Sequence, residues 1–152
     1  MKNLSLIFIV YICENLDLRI CKKYLKYLMT LLNEVEMNKL EEQYNFTYKN
    51  LRAIFEEILE IWGLDFNNSS KIWELYLKFE NKNLKKFLEL KNEVEYANTI
   101  SLIRSIYRRR LSFPHVDLDL VWNEYLKFEL NDEEKKKEEM LYLKVSTPFI
   151  II

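Results

Sequence analysis

Residues 71–80 read KIWELYLKFE, and 49 residues later residues 120–129 read LVWNEYLKFE. Trp, Tyr, Leu, Lys, Phe and Glu return at the same six places of ten, and two of the three tryptophans fall in this phrase. On a helix at about 100° per residue, Ile72, Trp73, Leu75, Tyr76, Leu77 and Phe79 cover a broad arc, with Lys71, Glu74 and Lys78 opposite. An apolar arc that wide suits a helix packed on two sides rather than one resting on a single neighbour. The phrase therefore predicts repeated helices around a shared aromatic interior, with Trp73 and Trp122 both inside it.

A second pattern alternates with the first. In TYKNLRAIFEEILEIW (47–62), Leu51, Ile54, Phe55, Ile58, Leu59 and Trp62 form one stripe at helical period, and Gly63 marks a stop. In NTISLIRSIYRRRLSF (98–113) the stripe is Ile100, Ile103, Ile106, Tyr107 and Leu111, ended by Pro114. Arg52 and Arg104 stand 52 apart within these segments. Ser69 or Ser70 can cap the helix of the opening phrase, and Asp117 or Asp119 its second copy. A weaker copy, RICKKYLKYL (19–28), sets Cys21, Tyr24 and Tyr27 at the Trp, Tyr and Phe positions, with residues 4–14 as the helix before it. Helix pairs at a period near 50 predict an all-α solenoid, an α-α superhelix of antiparallel hairpins. The expected repeats are 4–46, 47–97 and 98–144 of one segment of a longer protein.

Composition agrees. One Gly and two Pro in 152 residues exclude turn-rich strand folds, and aromatics at 14% supply large side chains to bury. A net charge of −1 excludes a chain-wide attraction to nucleic acid and leaves only local patches. Cys13 and Cys21 fit neither a disulfide framework nor a zinc pair and read as reduced thiols. The apolar start, residues 4–13, reads as the helix of a preceding repeat or as a targeting segment. It is too short to span a bilayer, so no membrane partner is expected.

Glu80 and Glu129 point into the aromatic arcs, where an unpaired carboxylate is costly. Ion pairs to Arg52 and Arg104 are therefore predicted. Arg110 stands where Ile58 stands in the earlier copy. It must reach solvent or find a carboxylate, with Glu129 the first candidate. The stretch 81–98 is long for a hairpin turn and reads as an extended helix or an insertion. The charge run NDEEKKKEE (131–139) reads as a solvated helix start or loop. His115, the single histidine, follows a proline with no nucleophile beside it, and Glu56 and Glu57 diverge, so no catalytic, cofactor or metal residue is read.

Aromatic-x-x-Tyr-x-x-Phe-Glu on one helix, Arg-x-Ile-Phe/Tyr on the other and a trailing proline resemble the half-a-TPR (HAT) repeat of RNA-processing proteins. The signature residues are Arg52, Phe55, Trp73, Tyr76, Phe79, Glu80, Arg104, Tyr107, Pro114, Trp122, Tyr125, Phe128 and Glu129. Within that class the phrasing is most similar to the N-terminal repeats of the spliceosome recycling factor known as squamous cell carcinoma antigen recognised by T-cells. The resemblance implies a nuclear, non-catalytic scaffold binding protein partners in pre-mRNA splicing, in U4/U6 assembly or recycling. The alternative is an RNA-contacting repeat protein of 3′-end cleavage and polyadenylation or of ribosome biogenesis. Arg108 and Arg109 are the candidate RNA or partner contacts, and a second copy of the chain is a further candidate partner.

Overall fold

The computed structural model describes Tyr11 and residues 18–142, with side chains through Glu133. Of the stretch 4–14 only Tyr11 is described, so the readings placed on that stretch and on Cys13 otherwise lie outside the described residues. Among residues 18–142 six helices follow one another: α1 (Leu18–Met37), α2 (Glu41–Tyr44), α3 (Tyr48–Trp62), α4 (Ser69–Glu89), α5 (Glu93–Leu111) and α6 (Leu118–Tyr142). No strand occurs among the described residues.

Local chemistry sets most of the ends. The Thr47 N–H donates to Asn50 Oδ1 at 2.8 Å, holding the first turn of α3. The last turn of α3 closes with Gly63 N–H donating to the Leu59 carbonyl at 2.8 Å, and Gly63 keeps a right-handed backbone. α4 begins without either serine as cap. Asp65 Oδ1 accepts from the Asn67 and Asn68 N–H groups in an Asx turn, while the Ser69 and Ser70 hydroxyls are buried. α1 and α4 both end in paired bonds of the Schellman type: Leu40 N–H to Val35 carbonyl with Lys39 to Glu36, and Asn92 to Phe87 with Lys91 to Leu88. Lys39 and Lys91, each at φ 55°, occupy the left-handed position that glycine usually takes. They stand 52 residues apart and mark the same place in successive repeats.

Packing then orders the helices. α4 is the centre, contacting α1, α3 and α5, whereas α6 packs on α5 alone among the described helices. One continuous core runs through Leu25, Leu51, Phe55, Ile58, Ile72, Tyr76, Ile103 and Ile106, all essentially inaccessible. On α4 the arc follows the sequence reading: Ile72, Trp73, Tyr76, Leu77 and Phe79 are buried, Leu75 is half-buried, and Lys71, Glu74 and Lys78 are exposed.

Several expectations are corrected. Of the two readings of the stretch 81–98, the extended helix is the one the structure takes: α4 runs on to Glu89, a turn of three residues follows, and α5 starts at Glu93. The repeat boundary expected between 97 and 98 thus falls inside α5. The charge run 131–139 lies in the body of α6 and neither starts a helix nor forms a loop. On α1 the buried register is Leu18, Cys21, Leu25, Leu28, Leu32 and Val35, which turns Tyr27 outward at 59% exposure. The weak first copy therefore keeps its Trp position but not its Phe position. Trp122 is 51% exposed against 4% for Trp73, because no described helix lies on the far side of α6.

Candidate functional site

The side chains that join helix to helix form an aromatic seam braced by arginines. Phe55 of α3 stacks on Tyr76 of α4, 4.9 Å between centroids and 5° between planes, with Phe79 at 5.6 Å. One repeat on, Tyr107 of α5 stacks on Tyr125 of α6 at 5.6 Å and 5°, with Phe128 at 5.7 Å. Equivalent residues thus make equivalent contacts, and such pairs contribute about 0.5–1.5 kcal/mol beyond their buried area.

The predicted ion pairs form. Arg52 Nε and Nη2 donate to Glu80 Oε1 and Oε2 at 2.9 and 2.8 Å, and Asn83 Nδ2 lies 3.5 Å from Oε1. Arg104 Nε donates to Glu129 Oε1 at 2.6 Å, while its Nη2 reaches Glu129 at 3.2 Å and Asp132 at 2.9 Å. The two differ in depth: the Glu80 side chain is 0% exposed and that of Glu129 30%. The hydrogen bond from Arg104 outweighs partial burial and holds the Glu129 carboxyl below its ordinary value.

Glu56 knits three helices together, a role its divergence from Glu57 concealed. It accepts the Tyr76 hydroxyl at 2.7 Å and takes both terminal nitrogens of Arg109 at 2.8 and 2.9 Å. The Arg109 guanidinium lies 5.2 Å over the Trp73 ring, whose Nε1 donates to the Gly63 carbonyl. Burial raises the Glu56 carboxyl, but the bonds from Arg109 and Tyr76 and the Arg109 and Arg52 charges outweigh it and hold it low. Tyr48 adds another tie between α3 and α5: its hydroxyl donates to Glu95 at 2.8 Å, and burial with that bond pushes it up to about 12. Lys86 pairs with Glu36 at 2.8 Å, binding α4 to α1.

Two arginine expectations change. Arg109, read as open to RNA or partners, is committed to Glu56. Arg110 neither reaches solvent nor meets Glu129, which Arg104 occupies. At 2% exposure it is surrounded by the charges of Glu124, Glu74 and Asp117, and its Nε is buried without a hydrogen bond. Burial pushes its guanidinium below the ordinary value against their pull. Arg108 is exposed, and its Nε donates to the Tyr125 hydroxyl at 3.2 Å. Pro114 is exposed in the connection to α6, where Phe113 lies 6.2 Å from Trp73. His115 is buried beside it, with Nδ1 accepting the Asp117 N–H, and burial plus the Arg110 charge lower its ring. Among the described residues no group of His, Cys, Asp and Glu could hold a metal, and no helix is long and apolar enough to cross a membrane.

Paired helices, a stacked seam and an Arg–Glu brace at equivalent positions define an α-solenoid protein of the half-a-TPR class. Residues 1–142 match the family described as suppressor of forked protein (Suf), and the chain belongs to that family. It is also similar to Crooked neck-like protein 1 of Mus musculus and of Homo sapiens, 27% identical over 85 residues, or 55% of this chain. That match spans only 12% and 10% of those relatives, about a tenth of their length. No solved structure matches the chain.

Proposed function

We propose that this chain is part of a non-catalytic helical scaffold in the nucleus that holds protein partners of an RNA-processing complex. Pre-mRNA splicing is the process proposed, with U4/U6 small nuclear ribonucleoprotein assembly or recycling as the step. One observation carries the reading. Arg52, Arg104, Arg109, Glu56, Glu80 and Glu129 are all engaged in fixing one helix against another. The chemistry of the interior thus serves geometry, and the outer faces of a rigid curved array are left for partners.

A second reading, an RNA-contacting protein of 3′-end cleavage and polyadenylation or of ribosome biogenesis, draws on the far end of the array. There exposed Arg108 touches the Tyr125 hydroxyl, and exposed Trp122 meets Tyr125 edge-on at 6.3 Å. An arginine beside open aromatic rings suits base stacking.

Proximity labelling from this chain in its own cells tests both. Enrichment of U4/U6 proteins is the expected result, and enrichment of 3′-end or ribosome-assembly factors selects the second reading. Recovery of no RNA-processing protein refutes both.

A further inference from the structure

α1 and α4 run side by side in the same direction, with Arg19 and Lys71 together at one end and Glu36 paired with Lys86 toward the other, and a groove of about 760 Å³ opens between them. Its walls are repeat-equivalent positions 52 residues apart: Arg19 with Lys71, Lys22 with Glu74, Lys23 with Leu75, and Lys26 with Lys78. Six cations thus face one carboxylate in a chain whose net charge is −1. Lys71 lies 3.6 Å from Glu74, an exposed pair of little strength, and the positive field is carried by Lys22, Lys23, Lys26 and Lys78. The pattern stops there. The corresponding positions of α6 are Leu120, Asn123, Glu124 and Lys127, so no basic track continues along the array.

On α1 the cations recur at i, i+3, i+4 and i+7, one face of a helix over two turns, or about 10 Å. Such a length suits a short segment rather than an extended strand. Exposed Ile20 and half-buried Leu75 give the groove an apolar floor. That floor serves no purpose against a phosphate backbone, and no lining residue is an aromatic on which a base could stack. Arginine, the residue suited to bidentate phosphate recognition, occurs once among the six cations.

We infer that this groove binds an acidic amphipathic helix of a partner protein, with carboxylates set on either side of a central apolar residue. The inference rests on the scaffold reading and names the chemistry of one partner.

Fluorescence anisotropy on the full chain tests it, with a labelled peptide carrying Glu at i, i+3, i+4 and i+7 around a Leu. A scrambled peptide of the same composition and a single-stranded RNA oligonucleotide are the comparison probes. Saturable binding of the helical peptide is expected, tighter than binding of the scramble. Lys22→Glu/Lys23→Glu/Lys26→Glu should weaken it by at least about tenfold, and Lys71→Glu/Lys78→Glu, on the opposite wall, likewise. Ile20→Ser should weaken the helical peptide several-fold without affecting the scramble, and Lys127→Glu should change nothing. Absence of binding overturns the inference, as does equal binding of the scramble. RNA held more tightly than peptide, and lost in the same variants, assigns the groove to nucleic acid and also overturns it. If the triple variant still labels RNA-processing proteins in cells, the groove fails while the scaffold reading stands.

Discussion

Arg52 and Arg104 occupy the same place in successive repeats, yet replacing them should have unequal consequences. In Arg52→Met the methionine keeps the apolar stem of the arginine in place and removes only its charged fork. Glu80, at 0% exposure, would then keep a single contact, the 3.5 Å approach of Asn83. Stranding a buried carboxylate costs about 3–5 kcal/mol. Arg104→Met leaves Glu129 at 30% exposure, where water can replace the guanidinium, so the loss should stay under about 1 kcal/mol. For a chain of this size about 2–4 °C follows each kcal/mol. Thermal melts by far-UV circular dichroism should therefore fall by about 6–20 °C in the first variant and by no more than about 4 °C in the second. The double variant Arg52→Met/Glu80→Leu should recover most of the loss, because replacing both partners of a buried pair with apolar groups is often near neutral. The chain supplies a precedent, since Leu28 stands buried at the Glu80 position one repeat earlier. Equal losses in the two single variants, or a double variant no more stable than Arg52→Met, would refute the reasoning.

The two tryptophans of the repeated phrase should likewise separate: Trp73→Ala costs about 3–5 kcal/mol by urea denaturation, and Trp122→Ala much less, with Trp122 emission at longer wavelength than that of Trp73. Glu56 is held below its ordinary 4.5 in the fold. Its contribution is therefore complete above about pH 4.5 and lost as pH falls through the lower folded value. Glu56→Gln should flatten the acid limb of a stability-against-pH curve; an unchanged slope would remove Glu56 from the account. Lys91 sits at φ 55° with an exposed side chain, so Lys91→Gly should raise stability by up to about 1 kcal/mol in urea melts. A loss instead would show that the left-handed turn carries no strain.

Much of this was written in the chain as periodicity. The arcs of KIWELYLKFE and LRAIFEEILEIW are fixed by spacing, since residues three and four apart must share a helix face. The need for a cation opposite Glu80 and Glu129 is equally local, and Arg52 and Arg104 recur in step with them. Whether the phrase is enclosed is a different matter. Trp73 is buried because Arg109 of α5 and Phe113 of the connection after it lie over its ring, whereas Trp122, at the same place of the repeated phrase, has no described helix above it. The Glu56–Arg109 bond could not be read, because it spans 53 residues between helices whose approach is set by α4 lying between them. The groove of α1 and α4 is a similar case. Its lysines look like ordinary solvated positions one helix at a time, and they become a concentrated positive field only when parallel packing brings two repeats edge to edge. Sequence by itself determined the helices, their inward faces and the charges each face requires. Tertiary structure decided which faces are covered and which distant charges meet, because burial and pairing depend on neighbours that no local window of residues contains.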